Sequence, residues 1–374
     1  MSRARAEINL AAIASNLKFI KSKSKSQVLA VVKADAYGHG LVAVAKAAES
    51  AGADWLGTAL LEEAISLRNG GISKPIIAWL TPPGEDFKTA INLDIDLSIS
   101  SIELLTEIAA AGKVVNKVPR VHIELDTGMN RGGFGDELET VIPEIASYVK
   151  SASIKVIGIW SHFARADEPG SAMNQTQLSR FNSAVEQLKN AGVSSEYLHV
   201  ANSAASLTNQ DAHKNIIRWG IGLYGLSPDV NNMGSSAELG LKPAMKLISK
   251  LQLVKAVKAG QSVGYGSTAT TKVDTKLGVV TMGYADGIPR NASNLAGVFV
   301  GGQRAALIGR VSMDQFVVDL GATSLAKTGD EVIVFGDGSG GEYTIDEWAK
   351  ACGTINYEIV TRIGVRVPRI YSRE

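Results

Sequence analysis

A single cysteine, Cys352, in a chain of 374 residues excludes an internal disulfide framework and fits a reducing compartment. Neither sign of charge dominates. The 38 Lys and Arg against 37 Asp and Glu leave a formal net charge of +1, which gives nucleic acid and anionic membrane surfaces nothing to favour. No apolar run approaches the length of a membrane span. The opening stretch "MSRARAEINLAAIASNLKFI" is interrupted by Glu7, Asn9 and Asn16 where a secretory signal would be continuously apolar. A cytoplasmic protein is expected, with no membrane and no nucleic-acid partner. No grouping of residues suggests a metal site, and the one cysteine reads as a buried apolar residue.

What is present is alternation. Apolar runs at 28–32, 55–59, 75–80, 95–99, 120–125, 155–160, 196–200 and 216–218 are separated by helix-like segments such as "NQTQLSRFNSAVEQLKNAG", with Ser101 and Asp136 at expected N-caps. Eight strand-then-helix units predict an α/β fold with a (β/α)8 TIM-type barrel over residues 1–235. After the turn-rich "DVNNMGSSAELGLKP" the texture changes to short, glycine-punctuated strands with one helix near "TIDEWAKACG". That predicts a mainly β C-terminal domain over 236–374.

Barrel enzymes gather their chemistry at the C-terminal ends of the strands. There this chain places Lys33 and Tyr37 after the first run, Arg131 in "DTGMNRGG" after the fifth and His162 after the sixth. Asn202 and Ser203 follow the seventh, and Arg218, Gly220 and Ile221 sit at the eighth. A lysine there either snorkels to solvent along its methylene stem or does chemistry. The "NSAAS" and "WGIGLYG" segments either make turns or cradle a phosphate, Ser203 capping a short helix and Gly220 allowing close backbone approach. A lysine, a phosphate cup and an arginine on one rim together point to pyridoxal 5'-phosphate. That cofactor needs a Schiff-base amine, an anion site and a partner for its pyridine nitrogen.

The motifs "AVVKADAYGHG", "DTGMNRGGF", "SHFARADE", "HVANSAAS", "RWGIGLYG", "VGYGST", "GYADG", "GRVSMDQ" and "INYEIVTRI" occur in an order that resembles the alanine racemase family over nearly the whole chain. The resemblance implies a homodimer with sites shared between subunits, interconverting L- and D-alanine and supplying D-alanine for peptidoglycan. It implies that Lys33 carries pyridoxal phosphate covalently and acts as one base, with Tyr265 as the second. Tyr37, Ser203, Gly220, Ile221 and Tyr357 would hold the phosphate, Arg218 would face the pyridine nitrogen, and His162 would support the ring. Arg131 and the Met313 backbone would receive the substrate carboxylate, Tyr284 would line the substrate entrance, and Tyr265 and Met313 would arrive from the other subunit. Relatives with a lysine modified to a carbamate on the strand before the arginine differ from this chain, which has Glu124 there, either to orient Arg131 through its negative charge or simply as the last residue of the strand. The competing readings are a racemase of serine or of broader specificity, a decarboxylase of the same architecture, and a non-catalytic pyridoxal-phosphate carrier. The last is disfavoured by the residues after about 240.

Overall fold

A computed structural model describes residues 2–373. The first strand, β1 (Arg5–Asn9), precedes eight parallel strands: β2 (Gln27–Val31), β3 (Trp55–Thr58), β4 (Ile76–Ala78), β5 (Ile95–Ile99), β6 (Arg120–Glu124), β7 (Lys155–Trp160), β8 (Tyr197–His199) and β9 (Ile216–Trp219). They pair in the order β8-β7-β6-β5-β4-β3-β2-β9. The seam between β8 and β9 is closed by the Asn215 N–H on the Leu198 carbonyl and the Arg218 N–H on the Ala201 carbonyl, both at 3.0 Å. Every residue of β3, β4 and β5 is buried, because a parallel strand sheathed by helices has no solvent face. All eight predicted runs are barrel strands. Ser101 caps its helix by accepting from the Leu104 N–H at 3.2 Å, whereas Asp136 caps nothing: that helix starts one residue later, behind Glu137.

The remaining strands, β10 (Met245–Val257), β11 (Ser262–Val263), β12 (Ala269–Thr270), β13 (Thr275–Val280), β14 (Gly297–Val300), β15 (Gln303–Leu307), β16 (Phe316–Asp319), β17 (Glu331–Phe335) and β18 (Arg369–Ser372), build the second domain. Six of them close an antiparallel barrel, β13-β16-β15-β14-β17-β10, because the 13-residue β10 pairs at one end with β17 and at the other with β13. β1 departs from the expected division. It runs antiparallel to β10 and parallel to β18, so residues 5–9 belong to the second sheet and not to the (β/α)8 barrel. Its alternating burial, with Ala6 and Ile8 inside, is the signature of a one-sided sheet. Two helices, not one, lie between β17 and β18. The first (Ile345–Ala351) is capped by Thr344 and Glu347, and the second (Asn356–Thr361) carries Tyr357.

Candidate active site

Lys33 stands two residues beyond β2, where the chain makes an uncommon turn. Ala34, Asp35, Ala36 and Tyr37 all have φ between 51° and 54°, a left-handed helical turn in non-glycine residues. Each such residue costs about 1 kcal/mol or more, so the surroundings must hold the turn. Asp35 does so by accepting from the Leu41 N–H at 2.8 Å. Gly38 closes the turn at φ 78°, where a Cβ would lie 2.3 Å from the Val360 carbonyl oxygen of the C-terminal domain. Burial lowers the Lys33 ammonium pKa, the positive charges of Arg131 and Arg218 lower it further, and Glu63 opposes them. Burial beside two cations thus makes Lys33 easier to deprotonate than a solvated lysine.

Arg218, on β9, is fully buried. Its Nη1 donates to the His199 carbonyl at 2.9 Å and its Nη2 to the carbonyls of Ser161 at 2.8 Å and Val200 at 3.2 Å. Nη2 also lies 3.0 Å from His162 Nδ1, which must be the acceptor because a guanidinium has only donors. The guanidinium sits 5.1 Å over the Trp160 ring. Burial brings Arg218 down to about 9, still cationic at pH 7, while His162 is pushed well below its ordinary value by burial and then by Arg218, Arg131 and Lys33. His162 is therefore neutral.

Tyr37, Ser203 and Gly220 converge on one spot. A Cβ at Gly220 would lie 2.9 Å from Tyr37 Oη and 3.7 Å from Ser203 Oγ. Ser203 does not cap the helix that follows it; Asn202 does, accepting from the Ala205 N–H at 3.0 Å. The Ser203 hydroxyl instead accepts from the N–H groups of Gly220 at 2.9 Å and Gly222 at 3.4 Å, tying the two loops together. Tyr37 packs against Tyr224 at 4.7 Å and Tyr357 at 6.1 Å between centroids. The N–H groups of Ser203 and Ile221 find no acceptor among the described residues. The Nε–H of Arg218 is likewise left without one. Unpartnered amides beside two hydroxyls fit a phosphate, and a free guanidinium donor beside a neutral imidazole fits an aromatic nitrogen.

Together with His162, a small cleft is lined by Glu124, Asp126, Met129, Arg131, Gly132 and Ser161. Asp126 Oδ1 shapes its loop by accepting from the N–H groups of Gly128, Met129 and Asn130 at 2.8, 2.9 and 3.1 Å. Glu124 makes no ion pair with Arg131, and its influence there is through the field. Burial raises Glu124 to about 7, against the pull of Arg131 and Arg218. Between pH 4.5 and 7 the folded chain thus keeps a proton that the unfolded chain has lost, so Glu124 makes stability fall as pH rises through that window. Glu124→Gln is expected to flatten this part of the stability profile, measured as urea midpoints at pH 5 and pH 8. An unchanged fall would place its source elsewhere.

The chain alone does not assemble every predicted residue. Tyr265, Met313 and Tyr284 are 72%, 54% and 40% exposed on loops of the second domain, and share no hydrogen bond or aromatic contact with the rim. Trp160 and Tyr224 escaped the sequence reading although both back the site. Tyr224 Oη donates to the Val31 carbonyl at 2.9 Å beneath Tyr37. Trp160 ends β7, whereas Tyr224 lies in the short helical turn after β9, and neither carries a sequence signal beyond standing next to a strand's C-terminal end.

Comparison with known proteins follows the same outline. The family model described as "Alanine racemase, N-terminal domain" matches residues 8–228, and "Alanine racemase, C-terminal domain" matches 244–371. The chain is 44% identical to the alanine racemase of Salinispora arenicola over 376 residues, covering 100% of both. It is 46% identical to that of Frankia casuarinae over 371 residues, 99% of this chain and 96% of the relative. The crystal structure of alanine racemase from D-cycloserine producing Streptomyces lavendulae superposes with a TM-score of 0.97 at 44% identity, covering 100% of this chain and 97% of that one. The Streptomyces coelicolor A3(2) enzyme gives 0.97 and 44%, with 100% and 98% covered.

Proposed function

The chain belongs to the alanine racemase family, and on that premise we propose that it interconverts L- and D-alanine at the barrel rim around Lys33. The observation that carries this reading is the set of free donors on the rim, the Ser203 and Ile221 amides and the Arg218 Nε–H, beside a buried amine of lowered basicity. Pyridoxal phosphate fits that set. Tyr37, Ser203, Gly220, Ile221 and Tyr357 would hold its phosphate, Arg218 and His162 its ring, and Lys33 its aldehyde carbon. When bound, the cofactor acidifies the Cα–H bond of an attached amino acid by drawing off electrons.

Racemisation then requires a proton acceptor on one face of Cα and a donor on the other. Lys33, desolvated, serves one face; Tyr265, brought by a second subunit, serves the other. Arg131 and the Met313 backbone hold the substrate carboxylate, and Tyr284 lines the way in. Arg218 has no proton to surrender at neutral pH, so facing the ring nitrogen it would keep that nitrogen an acceptor, which would weaken the ring's electron pull and suit return of a proton to Cα. The working form is a cytoplasmic homodimer whose product supplies D-alanine for peptidoglycan. The test is incubation with L-alanine and, separately, D-alanine, following optical rotation. Both are expected to decay to zero, since enantiomers have equal free energies. A constant rotation with alanine and decay with serine would move the substrate assignment.

A further inference from the structure

Behind Arg218, a line of buried polar side chains crosses the barrel interior. His199 Nδ1 lies 3.4 Å from Arg218 Nη1, and His199 Nε2 lies 2.9 Å from His122 Nδ1. His122 Nε2 lies 3.1 Å from Asp96 Oδ2, and the Asp96 carboxylate takes both Nε of Arg120 at 2.6 Å and its Nη2 at 3.0 Å. Asp96, His122, His199 and Arg218 are 4% exposed or less. Arg120, at the start of β6, has a side chain 36% exposed, so the line ends at solvent on the side away from the rim. Room for the His122 ring comes from Gly158 on β7, where a Cβ would lie 2.2 Å from His122 Nδ1.

The chemistry of the two ends sets the direction of every bond between them. A carboxylate only accepts and a guanidinium only donates. Asp96 therefore calls for a proton on His122 Nε2. With that proton in place, a neutral His122 offers Nδ1 as an acceptor and calls for a proton on His199 Nε2. That leaves His199 Nδ1 bare towards Arg218. Were the His199 proton on Nδ1, two donors would face each other at 3.4 Å in a buried site, leaving that donor unmet. We propose that Asp96 and His122 are positioning residues for Arg218, acting as a tautomer relay that holds the His199 ring in the one form compatible with the guanidinium. The relay rests on the reading above only in making Arg218 the partner of the cofactor ring; its hydrogen-bond order is independent of turnover.

The test is a nitrogen NMR spectrum of the holoenzyme labelled with 15N-histidine, in which only five imidazoles contribute. His122 and His199 are each expected to show a protonated Nε2 and a bare Nδ1. An imidazolium, or an Nδ1–H form at either ring, overturns the relay whether or not the protein racemises alanine. Asp96→Asn removes the charge that starts the order. It is expected to lower kcat at least about 10-fold with KM within about 2-fold, and to shift the cofactor absorption band. Arg120→Gln, which leaves the Asp96 carboxylate facing His122, is expected to keep the band in place. Full kcat and an unmoved band in Asp96→Asn would overturn the proposal. Should that variant not fold, the wild-type spectrum decides it.

Discussion

Lys33→Ala is expected to lower racemisation by at least about 10⁴-fold, because on the proposed reading it would remove an acid–base group and the covalent tether together. The two losses separate experimentally. Borohydride should no longer fix the cofactor to the protein, while the Tyr37, Ser203 and Ile221 cup still binds it reversibly. Structural damage is a weak alternative explanation. Lys33 makes no hydrogen bond or ion pair of its own among the described residues, and the left-handed turn after it is held by Asp35 and Gly38. A borohydride-stable bond persisting in this variant would assign the tether to another amine.

Tyr265→Phe deletes one oxygen from a ring that is 72% exposed, so folding should be untouched and cofactor retained. A drop of about 10²–10⁴-fold is expected, the size of a general acid–base contribution, with solvent-proton exchange lost preferentially for one enantiomer. Loss of cofactor along with activity would make the tyrosine a structural residue. Mixing the two variants addresses where this tyrosine acts. If each site takes Lys33 from one subunit and Tyr265 from the other, a mixed dimer concentrates both defects in one site and leaves its second site intact. Random re-pairing of equal amounts should then recover about a quarter of wild-type activity. Mixtures that stay inactive would place both residues of a site in one chain.

Much of the architecture was legible because parallel strands buried on both faces read as unbroken apolar runs, and a run of that kind scarcely depends on its neighbours to be recognised. β1 was not legible. Five residues with alternating burial are too short a signal, and their partner, β10, lies more than 200 residues away. Nor does "ADAY" announce four positive φ angles; alanine and tyrosine carry no local preference for that region, and it is held by the Asp35 bond to the Leu41 N–H and the close approach of Gly38 to the Val360 carbonyl. Ser203 looked like a cap because caps are serines. The structure spends its hydroxyl on Gly220 instead, a contact set by how the β8 and β9 loops meet.

The sequence by itself determined which chemical groups this protein owns and the order in which strands deliver them to the rim: Lys33, Arg131, His162, Ser203, Arg218. Tertiary structure alone decided which of them touch. Asp96, His122 and His199 lie on three different strands, and whether their side chains meet depends on the stagger of a closed barrel. That stagger is set by hydrogen bonds between residues far apart in the chain, such as Gln27 to Asn215, and no local pattern encodes it. The same holds for Tyr265, which is 72% exposed in one chain and shares no hydrogen bond or aromatic contact there with the Lys33 rim.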